Sequence, residues 1–175
     1  MRHFMALLLV LFMLLANDYT RNLHTTKLLR SEPTDLDQFL EAVARRESNN
    51  NHMVINQYGM LGKYQFSPST IRGLGFKITN SEFLSNPKLQ DSVMVKYLRE
   101  NNKTLKRIIT QYEGKVFKGV RVTRAGVLAA AHLAGAGGVR NYFSSDDLYG
   151  RRDGNGTSVR DYMHLFNNYK LQEVF

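Results

Sequence analysis

Residues able to do chemistry crowd into one stretch, 43–70, VARRESNNNHMVINQYGMLGKYQFSPST. It holds a single carboxylate, Glu47, followed by a loop in which Gly59 and Gly62 alternate with polar and aromatic side chains. A carboxyl group shielded from water favours its protonated form and can deliver a proton near neutral pH, which is what a general acid must do. The glycines allow tight turns and close approach of backbone to a ligand. Past Gly62 the chain releases Tyr64, Gln65 and Phe66, and Ser67-Pro68 then supplies a capping serine and a proline suited to open a short helix.

The element that must position Glu47 is a helix. At about 100° per residue, Leu36, Leu40, Val43 and Glu47 fall within roughly 60° of one another, while Gln38, Glu41 and Arg45 lie opposite. Glu47 therefore extends the apolar stripe and is expected to be buried at the helix end. The competing reading, a glutamate that closes the helix and turns back to water, stays open at this point. Thr34 is placed to cap this helix, with Asp37 three residues on as its acidic partner.

Further elements follow the same logic. After a short helical turn ended by Gly73 and Gly75, Asn86-Pro87 is the next start signal. Leu89, Val93, Tyr97, Leu98, Leu105, Ile108, Ile109 and Tyr112 recur at near-helical spacing, giving one long scaffold helix or two joined near Asn101-Asn102. Lys103, Lys106 and Arg107 read as its solvated face. Residues 114–123 read as a loop, and Thr123 caps a helix over 124–133 whose alanine run lets neighbours approach closely. Residues 146–157, DDLYGRRDGNGT, form a surface loop. Its Asp153-Gly154-Asn155-Gly156 has a calcium-loop flavour, but His164 stands where the bidentate glutamate belongs, so no metal site is expected. The five histidines are scattered with no H-E-x-x-H, which argues the same way for zinc. Ser158 caps a last helix on which Val159, Tyr162 and Phe166 share a face. Strand patterns are scarce, with only short irregular pieces around 55–64.

The order E-S, a polar connection, G-x-x-G-x-Y-Q-F and P-S-T resembles the lysozyme-like lytic transglycosylases, which cleave peptidoglycan. A second block agrees: Ala131-His132-Leu133-Ala134-Gly135-Ala136-Gly137-Gly138-Val139 is similar to that family's A-Y-N-A-G-x-G, with His132 in place of the tyrosine and Leu133 in place of the asparagine. The resemblance spans most of 36–169. It implies a mainly α, lysozyme-like single domain of the goose-type lysozyme and lytic transglycosylase kind, with at most a small irregular β element and no cofactor. It makes Glu47 the acid/base and sets Gln65 in a sugar-binding groove. Ser48, Tyr64 and Phe66 beside them, His132 and Gly135 from the second block, and Tyr162, the candidate for a late-helix tyrosine that lies against the family glutamate, complete the expected substrate-binding set, although core packing alone would also explain an aromatic at 162. Two readings of His132 stay open, one in which it replaces the lost family contact by stacking and hydrogen bonding and one in which it is a satisfied, partly buried structural histidine.

Counting carboxylates separates reaction types. Glycosidases that use water or a covalent intermediate carry two acids, about 5 Å or about 6.5–9.5 Å apart. No acid lies in the loop after Glu47, and Glu82, Asp91 and Glu113 sit in scaffold segments. A lone acid suits the transglycosylase outcome that the resemblance implies, a 1,6-anhydro-MurNAc end. The alternatives are a muramidase with Asp153 or Asp161 as second acid, a non-catalytic peptidoglycan-binding module, and an enzyme for another β-1,4-linked amino sugar polymer such as chitin.

At the N-terminus, Arg2 and His3 precede an unbroken apolar run over 4–16, too short to span about 30 Å of hydrocarbon comfortably. The expected organisation is a signal peptide or uncleaved membrane tether over 1–16, a polar spacer over 17–33 and the catalytic domain over 34–175. That places the protein outside the cytoplasm, in the periplasm or cell envelope or secreted, as a monomer serving wall remodelling or a secretion machine. There is no cysteine, so neither a lipoprotein anchor nor a disulfide framework is present, and the domain folds on its core alone. Net charge is +9, but the basic residues are scattered, so the expected partner is peptidoglycan glycan and not nucleic acid.

Overall fold

Thr34 closes a capping box with Asp37, the hydroxyl accepting from the Asp37 amide while the carboxylate accepts from the Thr34 amide, and so starts α1, Asp35–Ser48. Phe39, Leu40, Val43 and Ala44 form its buried face. Asn49 and Asn50 both adopt positive φ, 54° and 61°, and their amides bond back to Arg45 and Ala44, so the helix stops directly after Glu47 and Ser48. The computed structural model describes residues 33–171, and one compact unit begins at Thr34. The signal or tether expected over 1–16, and all of the expected spacer except Pro33, lie outside the described residues.

The loop after α1 holds isolated bridges, Ile55 with Leu61 and Leu61 with Phe66, where short strands were expected. It is anchored from below by Gln90, fully buried on a later helix. The Gln90 Oε1 accepts from the Lys63 amide at 2.9 Å, and its Nε2 donates to the carbonyls of His52 and Phe83. A Cβ at Gly62 would lie 2.3 Å from that Oε1, so the glycine is a condition of the anchor.

Four helices follow: α2 Pro68–Gly73, α3 Asn80–Ser85, α4 Pro87–Thr104 and α5 Lys106–Tyr112. The α4–α5 break falls at Leu105 and not at Asn101-Asn102, because Asn101 turns its amide onto the Tyr97 carbonyl and stays inside the helix. The expected loop over 114–123 contains a hairpin: β1 Val116–Phe117 pairs antiparallel with β2 Val120–Arg121. Lys118 and Gly119 supply the two positive φ angles of a tight turn.

Helix α6, Arg124–Ser144, runs well past the expected end at Leu133. It is two helical halves joined at Gly135, whose φ of 69° and ψ of 165° leave the helical region. Its first half is the buried centre of the core, with Val127 to Ala131 fully covered. Lys118 closes its far end, its Nζ donating to the carbonyls of Tyr142, Ser145 and Asp147 at 2.8, 2.7 and 2.6 Å. Helix α7, Val159–Leu165, starts from a Ser158–Asp161 capping box and lies so close to α6 that a Cβ on Gly126 would come within 2.6 Å of the Met163 carbonyl oxygen. Among the described residues no helix is long and apolar enough to cross a membrane.

Candidate active site

A groove of about 450 Å³ opens where these elements converge. Glu47 enters from the end of α1, Gln65 and Phe66 from the loop, Tyr97 from α4, His132 and Leu133 from α6, and Asp153 and Asn155 from the segment before α7. Glu47 is half-buried, less than the helical phase implied, since α1 ends one residue later and the groove side of the carboxylate is open.

The hydroxyl of Tyr162 donates to Glu47 Oε1 at 2.6 Å. Tyr162 is 2 % exposed, and this burial, followed by the neighbouring Glu47 carboxylate, holds its phenol far above the ordinary tyrosine range. It therefore remains a hydroxyl donor at any working pH. Such a donor steadies the carboxylate left after a proton has been given away. Arg46 ties the same helix end to the segment before α7 through Thr157 Oγ1, at 2.9 Å.

Gln65 sits at φ 52°, a conformation that a residue with a Cβ rarely adopts. Its amide N–H and its side-chain Nε2 both donate to the Gly62 carbonyl, at 3.1 and 2.7 Å. Phe66 is packed edge-on against Tyr97 and His132, with centroids at 5.3 and 5.1 Å. The His132 Nε2 bonds the Tyr64 carbonyl at 2.8 Å.

Four residues of the expected substrate set, Tyr64, Ser48, Gly135 and Tyr162, stand off the groove wall. Tyr64 is buried on the opposite side of the loop, its hydroxyl on Asp91 at 2.5 Å and its ring against a separate cavity of about 470 Å³ between α1 and α4. Burial first, and then Asp91, raise its phenol strongly. Ser48 points its hydroxyl at the Lys63 carbonyl, 3.0 Å away, joining α1 to the loop. Gly135 is the kink of α6. Tyr162 reaches the site only through Glu47.

Other groove residues had no such role in the sequence reading. Tyr97 reads from sequence as scaffold, and no binding motif marks Asn56 or Met60. Asn56 left a signal in N-Q-Y-G: its Oδ1 accepts from the amides of Tyr58 and Met60 and shapes the turn. Of the two candidate second acids, Asp153 lines the groove, with its Oδ1 accepting from the amides of Asn155 and Thr157. Asp161 is instead spent on the α7 cap, accepting from the Ser158 hydroxyl at 2.6 Å. Among the described residues no group of histidine and acidic side chains is arranged to hold a metal ion.

The model of the transglycosylase SLT domain family matches residues 29–153. The chain belongs to this family. Nothing among curated proteins or solved structures matches it. Its mainly helical fold is thus the lysozyme-like SLT domain, and peptidoglycan is the substrate that membership implies. Tyr162 lies beyond the matched segment, so its place beside Glu47 rests on geometry alone.

Proposed function

We propose that this SLT domain is a peptidoglycan lytic transglycosylase, exported to the cell envelope, in which Glu47 is the single acid/base. The observation that carries this reading is the half-buried carboxylate on the groove wall, held by a phenol that stays protonated. Glu47 gives its proton to the oxygen of the MurNAc–GlcNAc β-1,4 bond, and the bond from the anomeric carbon to that oxygen breaks. The Tyr162 hydroxyl steadies the carboxylate so formed. Glu47 then takes the proton of the muramoyl 6-hydroxyl as that oxygen bonds to the anomeric carbon, leaving a 1,6-anhydro end. Atoms balance without water, so one carboxylate is enough.

Gln65, Phe66 and Tyr97 supply a polar and aromatic wall of the kind that saccharide recognition uses. A muramidase outcome has one observation in its favour, Asp153 on the same groove. Mass spectrometry of digested sacculi decides between them. Anhydro ends from the wild type, with no product from Glu47→Gln, are expected. Reducing ends that disappear in Asp153→Asn would make this a hydrolase, and equal release by wild type and Glu47→Gln would remove Glu47 from the chemistry. Comparison of sacculi with chitin tests the substrate.

A further inference from the structure

We infer that His132 is a positioning residue, holding the peptide that joins Tyr64 to Gln65 so that Gln65 keeps its place on the groove wall; this rests on the groove being the glycan site. A backbone carbonyl only accepts, so in the 2.8 Å contact with the Tyr64 oxygen the imidazole must donate from Nε2. The other nitrogen, Nδ1, is buried and has no hydrogen-bond partner among the described residues, so it offers nothing to a sugar hydroxyl. The polarity of this ring is therefore turned onto the protein, which favours the structural one of the two readings open from its sequence position.

That peptide needs holding. Gln65 is at φ 52°, a conformation that persists in a residue with a Cβ only where the surroundings impose it. Its own turn fixes the residue through Gly62, and Gln90 fixes Lys63 from the core side. From α6, His132 reaches across to the carbonyl between them. The ring is itself held, edge-on to Phe66 at 5.1 Å and to Tyr97 at 5.6 Å. Tyr97 in turn donates to the carbonyl of Ala131, next to His132 in the chain, at 2.7 Å. The aromatic trio thus links α4, α6 and the loop in one register, with Gln65 at its open end.

The test uses the full chain carrying Glu47→Gln, so that adsorption to intact sacculi is measured without digestion. His132→Phe keeps the ring and removes the donor; its adsorption should fall about tenfold, the order of one hydrogen bond. Gln65→Ala should fall at least as far, and the double variant no further than Gln65→Ala alone, because the histidine acts through the glutamine. His132→Gln, which restores an N–H donor, should recover most of the loss with an unchanged melting temperature. Losses that multiply in the double variant, or full adsorption by a folded His132→Phe, would overturn the inference. Imidazole ¹⁵N spectra of the unsubstituted protein give an answer independent of ligand and of mutant folding: Nε2–H is expected, and an Nδ1–H tautomer would refute the contact. Failure of the Glu47→Gln protein itself to adsorb would strike the glycan groove and overturn the presentation of Gln65 with it, while the spectra still report on the His132–Tyr64 bond.

Discussion

At the scale of single residues, the site turns on one short hydrogen bond. Tyr162→Phe keeps the buried ring and its packing on Phe166, and removes only the hydroxyl that donates to Glu47. A hydrogen bond to a charged group is worth about 1.5–3 kcal/mol, so turnover on sacculi should fall about 10- to 100-fold in a variant that circular dichroism shows still folded at the assay temperature. Unchanged turnover would mean that Tyr162 is packing alone. That Glu47 shares the inward side of α1 with Leu40 and Val43 is legible because helical phase is a one-dimensional property, set by residue spacing along α1. Tyr64 and Gln65 were not separable that way. They are consecutive, and the positive φ of Gln65 turns one to the core and the other to the groove. No composition rule marks a glutamine for that conformation. Tyr97 was placed on an inward face correctly, but phase does not say whether an inward face meets core or cavity.

At the scale of elements, the position of Tyr162 depends on α7 lying against α6. Gly126→Ala would push a methyl group into the Met163 carbonyl, a backbone atom that cannot rotate away, one residue from Tyr162. Overpacking of this kind costs about 1–3 kcal/mol, so the variant should melt lower and lose activity together; an unchanged melting curve would show that the helices have room. The α7 cap gives a second handle. The Ser158 hydroxyl, then its amide, hold the Asp161 carboxyl below the usual aspartate range. A folded value below the unfolded one, about 3.9, contributes stability that is present above that pH and is lost as pH falls through the folded value. Ser158→Ala should therefore cost about 1 kcal/mol at neutral pH and less below about pH 4, as followed by thermal melts across pH. An equal cost at both ends would place the effect in packing. Such caps were the most readable feature of the chain: Thr34, Ser67, Asn86, Thr123 and Ser158 each do accept from the amide three residues on. The same pattern in Thr79 and Glu82 opens α3, and the Lys118-Gly119 hairpin turn, which relies on a positive φ at lysine, carries no comparable signal in the sequence. The length of α6 was hidden by its own glycines, since Gly135 breaks the ladder without ending the helix.

At the scale of the whole molecule, charge and site geometry should act on different observables. With 24 lysines and arginines against 15 acids, the chain carries a net +9, spread along the sequence and not gathered at the groove, whose own ionisable groups include Glu47 and Asp153. A diffuse positive field raises the local concentration of an anionic polymer without choosing a register on it. Screening shortens its reach from about 10 Å at 0.1 M salt to about 3 Å at 1 M. Adsorption of the Glu47→Gln protein to sacculi should therefore weaken steadily between these limits. Gln65→Ala, which alters one neutral contact at close range, should lower adsorption by the same factor at every salt concentration, giving parallel curves of affinity against ionic strength. Curves that converge at high salt would mean that the groove contributes little beyond the general attraction of a basic protein for an acidic wall. A flat curve for the Glu47→Gln protein would assign adsorption to the groove alone and leave the +9 charge without a part in it.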